Sequence, residues 1–443
     1  MLKSQNRVST LIFKLKTMNK LKSILFSLLT IATFTVFLTS CEKDLMQQQT
    51  KTTLNTQQGY VFDGLKLNQN SVKSIDNGSL VFDKYEEAFG YVLNKKPENL
   101  YINIPLSSNE VLELKLEKWN IFSDNFTLED EEGNASKSEV NGIFYHGILN
   151  GEENSIVSAS IFENDLSIMV ISSKDTYHLN KGKDGLLTLD KVSSGAFEFN
   201  SKLCELSCGD NIHSAFQLNE TGLPDFAISK TAKSGGCTYD PIRVCYVIDQ
   251  SFINYFGSYS NAKNYFASKF NSAKAMYSYW GIPIQFGGYF RRTLNINTNH
   301  NGNILDPPFI DLLSKFGKGS NGWDVLGSVV AIRKNGVLTG NGLGNVGLDC
   351  GSAAPICKKG YNNGAQPGCM PFSIVALRET SSGATNDHYM IYTLAHELGH
   401  NFRILDSNAN DVMDHGAGNQ HHIAYNTYLD MYAAWVDCYY NCN

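Results

Sequence analysis

The chain has 443 residues, 42% of them hydrophobic and 18% charged, an ordinary globular composition with length for two or three domains and a core of normal size. A formal net charge of −6, with no run of lysine or arginine interleaved with aromatics, excludes a nucleic-acid-binding protein. Oligomeric state cannot be read from the sequence.

The N-terminus reads as an export signal. Lys20 and Lys22 precede an apolar stretch from Ile24 to Leu38, too short to span a bilayer and suited to a signal-peptide core. Met18 is a better start for such a signal than Met1. The residues Leu38-Thr39-Ser40-Cys41 resemble a bacterial lipobox, which implies cleavage before Cys41 and a lipid anchor on its thiol; a plain secretory signal is the alternative. The following Glu42-Lys43-Asp44 resembles the surface-export signal of Bacteroidetes-type lipoproteins. The expectation is an outer-membrane or cell-surface lipoprotein, with signal 1–40 and lipid anchor and tether 41–79. Residues 42 to about 58, rich in Gln, Thr and Lys, carry that tether.

From about residue 80 to 200, short apolar runs alternate with Asn-, Gly- and Asp-rich turns: 101–105, 111–116, 142–149, 155–161, 166–171 and 176–179. Several alternate with period two, so 80–225 is expected to be a β-rich domain. Residues 226–236, polar and glycine-containing, read as an exposed linker with basic cleavage points at Lys230 and Lys233. The pattern then changes. Residues 241–248 read as a buried strand, 251–279 have helical spacing, and 282–286, 325–332 and 372–377 read as strands, with helical character at 310–316. The segment 237–443 is therefore expected to be a second domain, giving an α+β chain overall.

Residues 386–402 are expected to be one helix, with Asn386 or Asp387 as N-cap and Ile391, Leu394, Ala395 and Leu398 on its core face. It carries His396-Glu397-Leu398-Gly399-His400, an H-E-x-x-H motif. On a helix this spacing puts two imidazoles on one face, a turn apart, as ligands for Zn²⁺, with Glu397 placed to act as general base on a metal-associated water. A catalytic zinc site needs a third protein ligand. No glutamate follows Glu397, which excludes the class with a downstream glutamate ligand and leaves His415, His421 and His422, or Asp406, Asp411, Asp414, Asp430 and Asp437.

At this point the chain resembles the metzincins, whose motif H-E-x-x-H-x-x-G-x-x-H/D puts Asp406 at the third-ligand position and Met413 at the Met-turn. His415 then stands as a candidate extra ligand. The wording His-Glu-Leu-Gly-His-Asn, the strand and helix over 241–279, and the cysteines near the C-terminus resemble the reprolysin-like (adamalysin) branch. The resemblance implies a β-rich propeptide followed by a catalytic domain with a mixed twisted sheet, long helices and a zinc cleft. It implies a zinc metalloendopeptidase made as a zymogen, acting on protein or peptide substrates, and released from the surface if the propeptide is cut. It also implies that one of Cys350, Cys357 or Cys369 bridges to Cys438 or Cys442. Cys204 and Cys208 resemble a propeptide cysteine switch; a local disulfide between them is the alternative. With Cys41 set aside, the cysteine count is odd, so at least one thiol has another task or none. The glycine-rich stretch 340–347 resembles a cleft-edge strand that holds peptide substrate, and reads equally as a plain loop.

One residue departs from the family pattern. Arg403 stands where a glycine with φ > 0 is usual, which costs an L-residue roughly 1 kcal/mol or more. It is the main support for a rival reading, a catalytically inactive metzincin-like binding or adhesion lipoprotein. A structural zinc site with four protein ligands is a further alternative.

Overall fold

The computed structural model describes residues 59–68, 79–83, 86–136, 141–181, 185–192, 237–239, 241–279, 281–296, 308, 311–312, 324–334, 336–338, 342–344, 372–378, 386–402 and 440–442. In chain order the N-terminal part comprises β1 (Tyr60–Phe62), β2 (Lys66–Leu67), β3 (Leu80–Asp83), α1 (Glu86–Lys95), β4 (Asn99–Pro105), β5 (Val111–Lys118), β6 (Phe122–Glu129), β7 (Ala135–Ser136), β8 (Gly142–Leu149), β9 (Glu152–Phe162), β10 (Asp165–Ile171), β11 (Thr176–Lys181) and β12 (Leu187–Val192). Ten of these strands form one sheet in the order β1-β4-β5-β8-β9-β10-β11-β12-β3-β2. The sheet reaches closer to the N-terminus than the boundary at residue 79 drawn from composition, because β1 pairs in parallel with β4 and β2 pairs with β3. Phe62 and Leu65 supply the apolar anchors that bring this stretch into the core.

Period-two alternation is carried through to burial. Leu100, Ile102 and Ile104 on β4, and Leu112, Leu114 and Leu116 on β5, turn inward to a core shared with Phe82, Phe89, Val92, Leu179 and Leu189. Strands β8 to β11 are buried on both faces. One face, with Tyr145, Val157, Ala159, Ile168 and Val170, joins that core. The other is apolar at its margins (Phe144, Ile156, Phe162, Met169, Ile171) and polar in the middle, where His146, Ser158, Ser160, Ser167 and His178 are all buried.

The C-terminal part comprises β13 (Cys237–Tyr239), β14 (Ile242–Asp249), α2 (Gln250–Phe256), α3 (Tyr259–Tyr279), β15 (Ile284–Arg292), β16 (Val325–Val330), β17 (Arg333–Lys334), β18 (Val337–Leu338), β19 (Gly342–Gly344), β20 (Phe372–Ala376), α4 (Asp387–His400) and β21 (Tyr440–Cys442). Its sheet runs β19-β20-β16-β14-β15-β6-β7, with β20, β16, β14, β15 and β6 parallel and β19 and β7 antiparallel at the two edges. The helical spacing of 251–279 folds as two helices, because Gly257 takes a left-handed conformation (φ 76°) that closes α2. Asp249 caps α2 by accepting from the Ser251 amide at 2.7 Å. A separate two-stranded pair sets β13 against β21, with Cys237 opposite Cys442.

Strands β6 and β7 come from the N-terminal part but belong to the C-terminal sheet. Phe286 is in register with Phe122, Gly288 with Thr127 and Tyr289 with Leu128. Gly288 makes the approach possible, since a Cβ there would meet the Thr127 carbonyl oxygen at 2.5 Å. Phe122 and Phe126 pack on Phe286, and Phe126 also packs on Tyr289. Arg292 is ion-paired with Glu129, and Thr293 donates to Glu131 at 2.6 Å.

Helix α3 lies between the two sheets. Phe266, Phe270, Ala273 and Tyr277 face the apolar core of the C-terminal sheet, while Ser268, Asn271, Ser272 and Lys274 are buried polar residues. Asn271 accepts from the Trp119 indole at 2.7 Å and donates to the Ala159 carbonyl (3.1 Å) and the Ser160 hydroxyl (3.0 Å). The hydroxyls of Ser158 and Ser272 meet at 2.8 Å. The seam is thus polar on both sides, and Asn271, Ser158, Ser160 and Ser272 are hydrogen-bonded across it as burial requires. Residues Gly59–Asn443 form one compact unit.

Candidate metal centre

Helix α4 is built where the sequence places it. Asn386 caps it, its side chain accepting from the Tyr389 amide at 3.0 Å, and Asp387 puts a carboxylate in the first turn against the positive end of the helix dipole. Met390, Ile391, Leu394, Ala395 and Leu398 are buried in the core with Phe402. The helix closes after His400, where the Asn401 and Phe402 amides donate to Leu398 (3.1 Å) and Gly399 (2.9 Å), and the Asn401 side chain donates to the Glu397 carbonyl at 3.0 Å.

The 3.6-residue repeat brings His396 and His400 together, their ring centroids 4.7 Å apart and the rings nearly perpendicular at 86°. One ligand atom from each of His396, Glu397 and His400 lies within 4.8 Å of the others. The Glu397 Oε2 is 4.0 Å from His400 Nε2. All three residues are buried, and Tyr392 packs against His396 with its ring centroid 5.6 Å away. Two imidazoles and a carboxylate gathered this closely are a donor set that suits a transition metal such as Zn²⁺.

The site rests on α3 and the sheet. Tyr277 donates its hydroxyl to the Ala395 carbonyl at 2.8 Å, fixing the turn that carries His396, and its ring stacks on Phe402. Tyr246 of β14 is fully buried below the helix, and burial pushes its hydroxyl above the ordinary tyrosine range, with the Glu397 carboxylate adding to the shift. The first turn of α4 is held by a buried network. Asp387 is ion-paired with Lys269 at 2.8 Å and accepts from the Tyr265 hydroxyl at 2.7 Å. Lys269 also donates to Ser167 and Asn180 of the N-terminal sheet, both at 3.2 Å. His388 meets His178 of β11 at 3.2 Å between ring nitrogens. Gly342–Gly344 forms the edge strand β19, antiparallel to β20 and adjoining α4.

Sequence reasoning located His396, Glu397 and His400 and missed the Lys269, Asp387 and Tyr265 network. Its one signal was a lysine amid buried helical positions, which reads from sequence as a solvated face. Asp406, Met413, His415 and Arg403, as well as Cys204, Cys208 and Cys41, lie outside the described residues. Cys245 is a free, buried thiol on β14, which burial holds protonated. Setting it aside with Cys41 leaves an even number of cysteines. A switch thiol is therefore not needed to explain the odd count.

Residues 240–410 match a family described as Metallo-peptidase family M12 (Reprolysin_5), a span that takes in β14 through α4. No curated protein matches the chain. Among solved structures, the crystal structure of metalloproteinase-II from Bacteroides fragilis is similar at 12% identity, covering 79% of this chain and 95% of that one, with a TM-score of 0.40. The family match, taken with the His396, Glu397 and His400 cluster, supports a metallopeptidase, a hydrolase of peptide bonds.

Proposed function

We propose that the protein is an exported, lipid-anchored zinc metalloendopeptidase made as a zymogen, with Glu397 as general base. The observation that carries this reading is the buried convergence of His396, Glu397 and His400 within the stretch that matches the M12 family. His396 and His400 would hold the zinc with Asp406 as third ligand, and His415 is a candidate fourth. When bound, zinc supplies a Lewis acid for the scissile carbonyl and lowers the pKa of the attacking water.

The chain's own residues do the rest. Glu397 accepts the proton of the attacking water and passes it to the leaving amine. Tyr277 and the Lys269 and Asp387 network keep the helix that carries all three groups in one position. Strand β19, with one edge unclaimed among the described residues, would take substrate backbone as an added strand. Latency is assigned to the uncut connection between the two parts, with Cys204 and Cys208 as switch candidates that a cut in 226–236 releases, and anchoring to Cys41.

The test is hydrolysis of casein by the zinc-loaded protein, uncut and after cleavage within 226–236, beside Glu397→Ala treated identically. The proposal expects activity in the cut wild-type chain only. Equal activity in the cut wild-type and variant proteins would refute it.

A further inference from the structure

We infer that the N-terminal part is a strand-donating partner of the zinc domain, so that a cut in 226–236 leaves a two-piece complex instead of a free domain. Three observations carry this, and none depends on the centre being an active peptidase. The first is β6, whose residues Phe122, Thr127, Leu128 and Glu129 are in register with β15 inside the C-terminal sheet. Without it β15 becomes an edge strand of unpaired backbone groups, which folded proteins avoid. The second is the core. Ile121, Leu128, Phe144, Ile156, Phe162, Met169 and Ile171 belong to the same apolar cluster as Phe270, Phe286, Ile391 and Leu398. Departure of the N-terminal part would expose Phe286 and Tyr289 on one side and Phe122 and Phe126 on the other. The third is Gly288, whose missing Cβ is the space occupied by the Thr127 carbonyl.

The middle of the seam tells what kind of partnership this is. Asn271, Ser272, Lys269 and Lys274 face His146, Ser158, Ser160, Ser167 and Asn180 from the other part, with direct bonds across. Such surfaces tolerate water better than an apolar core, as the surfaces of separable partners do. The contact is therefore one that two separate chains can make.

The test puts a site-specific protease sequence in place of 226–236 in the full chain and cuts it to completion. Gel filtration at neutral pH without denaturant should give one peak holding both fragments. Hydrogen exchange should find the amides of 122–129 as protected after the cut as before it. Separate elution of the fragments would overturn the inference, and so would loss of protection at 122–129 in a co-eluting pair.

Discussion

Replacing Lys269 with methionine removes the charge and keeps most of the volume. Lys269 is 1% exposed, and its ammonium is held by Asp387 at 2.8 Å, Ser167 at 3.2 Å and Asn180 at 3.2 Å. After the change the Asp387 carboxylate stays buried, with the Tyr265 hydroxyl as its side-chain donor and no counter-charge from Lys269. Breaking one side of a buried ion pair costs about 3–5 kcal/mol, whereas an exposed pair costs about 1 kcal/mol or less. Burial puts this pair in the first class, so Lys269→Met should lose about 3–5 kcal/mol. The double variant Lys269→Met with Asp387→Leu should recover roughly half of that loss or more, because no buried charge is left without its partner. Urea unfolding followed by tryptophan fluorescence reads both, with Trp119 lying at the seam. A loss below about 1 kcal/mol in the single variant, or a double variant worse than the single, would refute the assignment of the network as a buried clamp on α4.

Acid should weaken the fold through its buried histidines. Burial, with Lys274 adding to it, lowers His146 from 6.5 to about 3, and His178 is lowered in the same sense by burial, His388 and Lys269. The unfolded chain takes up protons below pH 6.5 that the folded chain refuses, so stability falls as pH drops from 6.5 toward 3, by roughly 1.4 kcal/mol per pH unit for each such group. The Asp165 and Asp190 carboxyls, raised by burial, act oppositely as the pH approaches the ordinary carboxylate range. Lys274, lowered to about 7 by burial, makes stability rise with pH between 7 and 10.5. Urea midpoints from pH 5 to 9 check both, and a flat profile would contradict them. In the folded protein Cys245 should resist iodoacetamide and react only on unfolding, as peptide mass spectrometry would read. Cys41→Ala should abolish incorporation of labelled fatty acid in a lipoprotein-processing bacterial host.

Much of this architecture is written in residue patterns that act locally. Alternation in β4 and β5 survives as alternating burial, and the Asn386 cap with the apolar positions 391, 394, 395 and 398 gives α4 and the three site residues. What the pattern hides is whatever depends on partners far along the chain. Ser158, Ser160, Lys269 and Asn271 have the composition of a solvated face, yet each is buried against a group about a hundred residues away. Strand β6 sits in sequence between two strands of the ten-stranded sheet, so adjacency alone assigns it to the wrong one. The polar seam is legible only once both of its sides are in place.

The most direct test of the central claim is casein hydrolysis by the zinc-loaded, linker-cut chain beside its Glu397→Ala variant, with zinc content matched by metal analysis. A peptidase centre at His396, Glu397 and His400 predicts hydrolysis by the wild-type protein that falls by about 100-fold or more in the variant. Equal rates in the two proteins, or no hydrolysis by either, would contradict it.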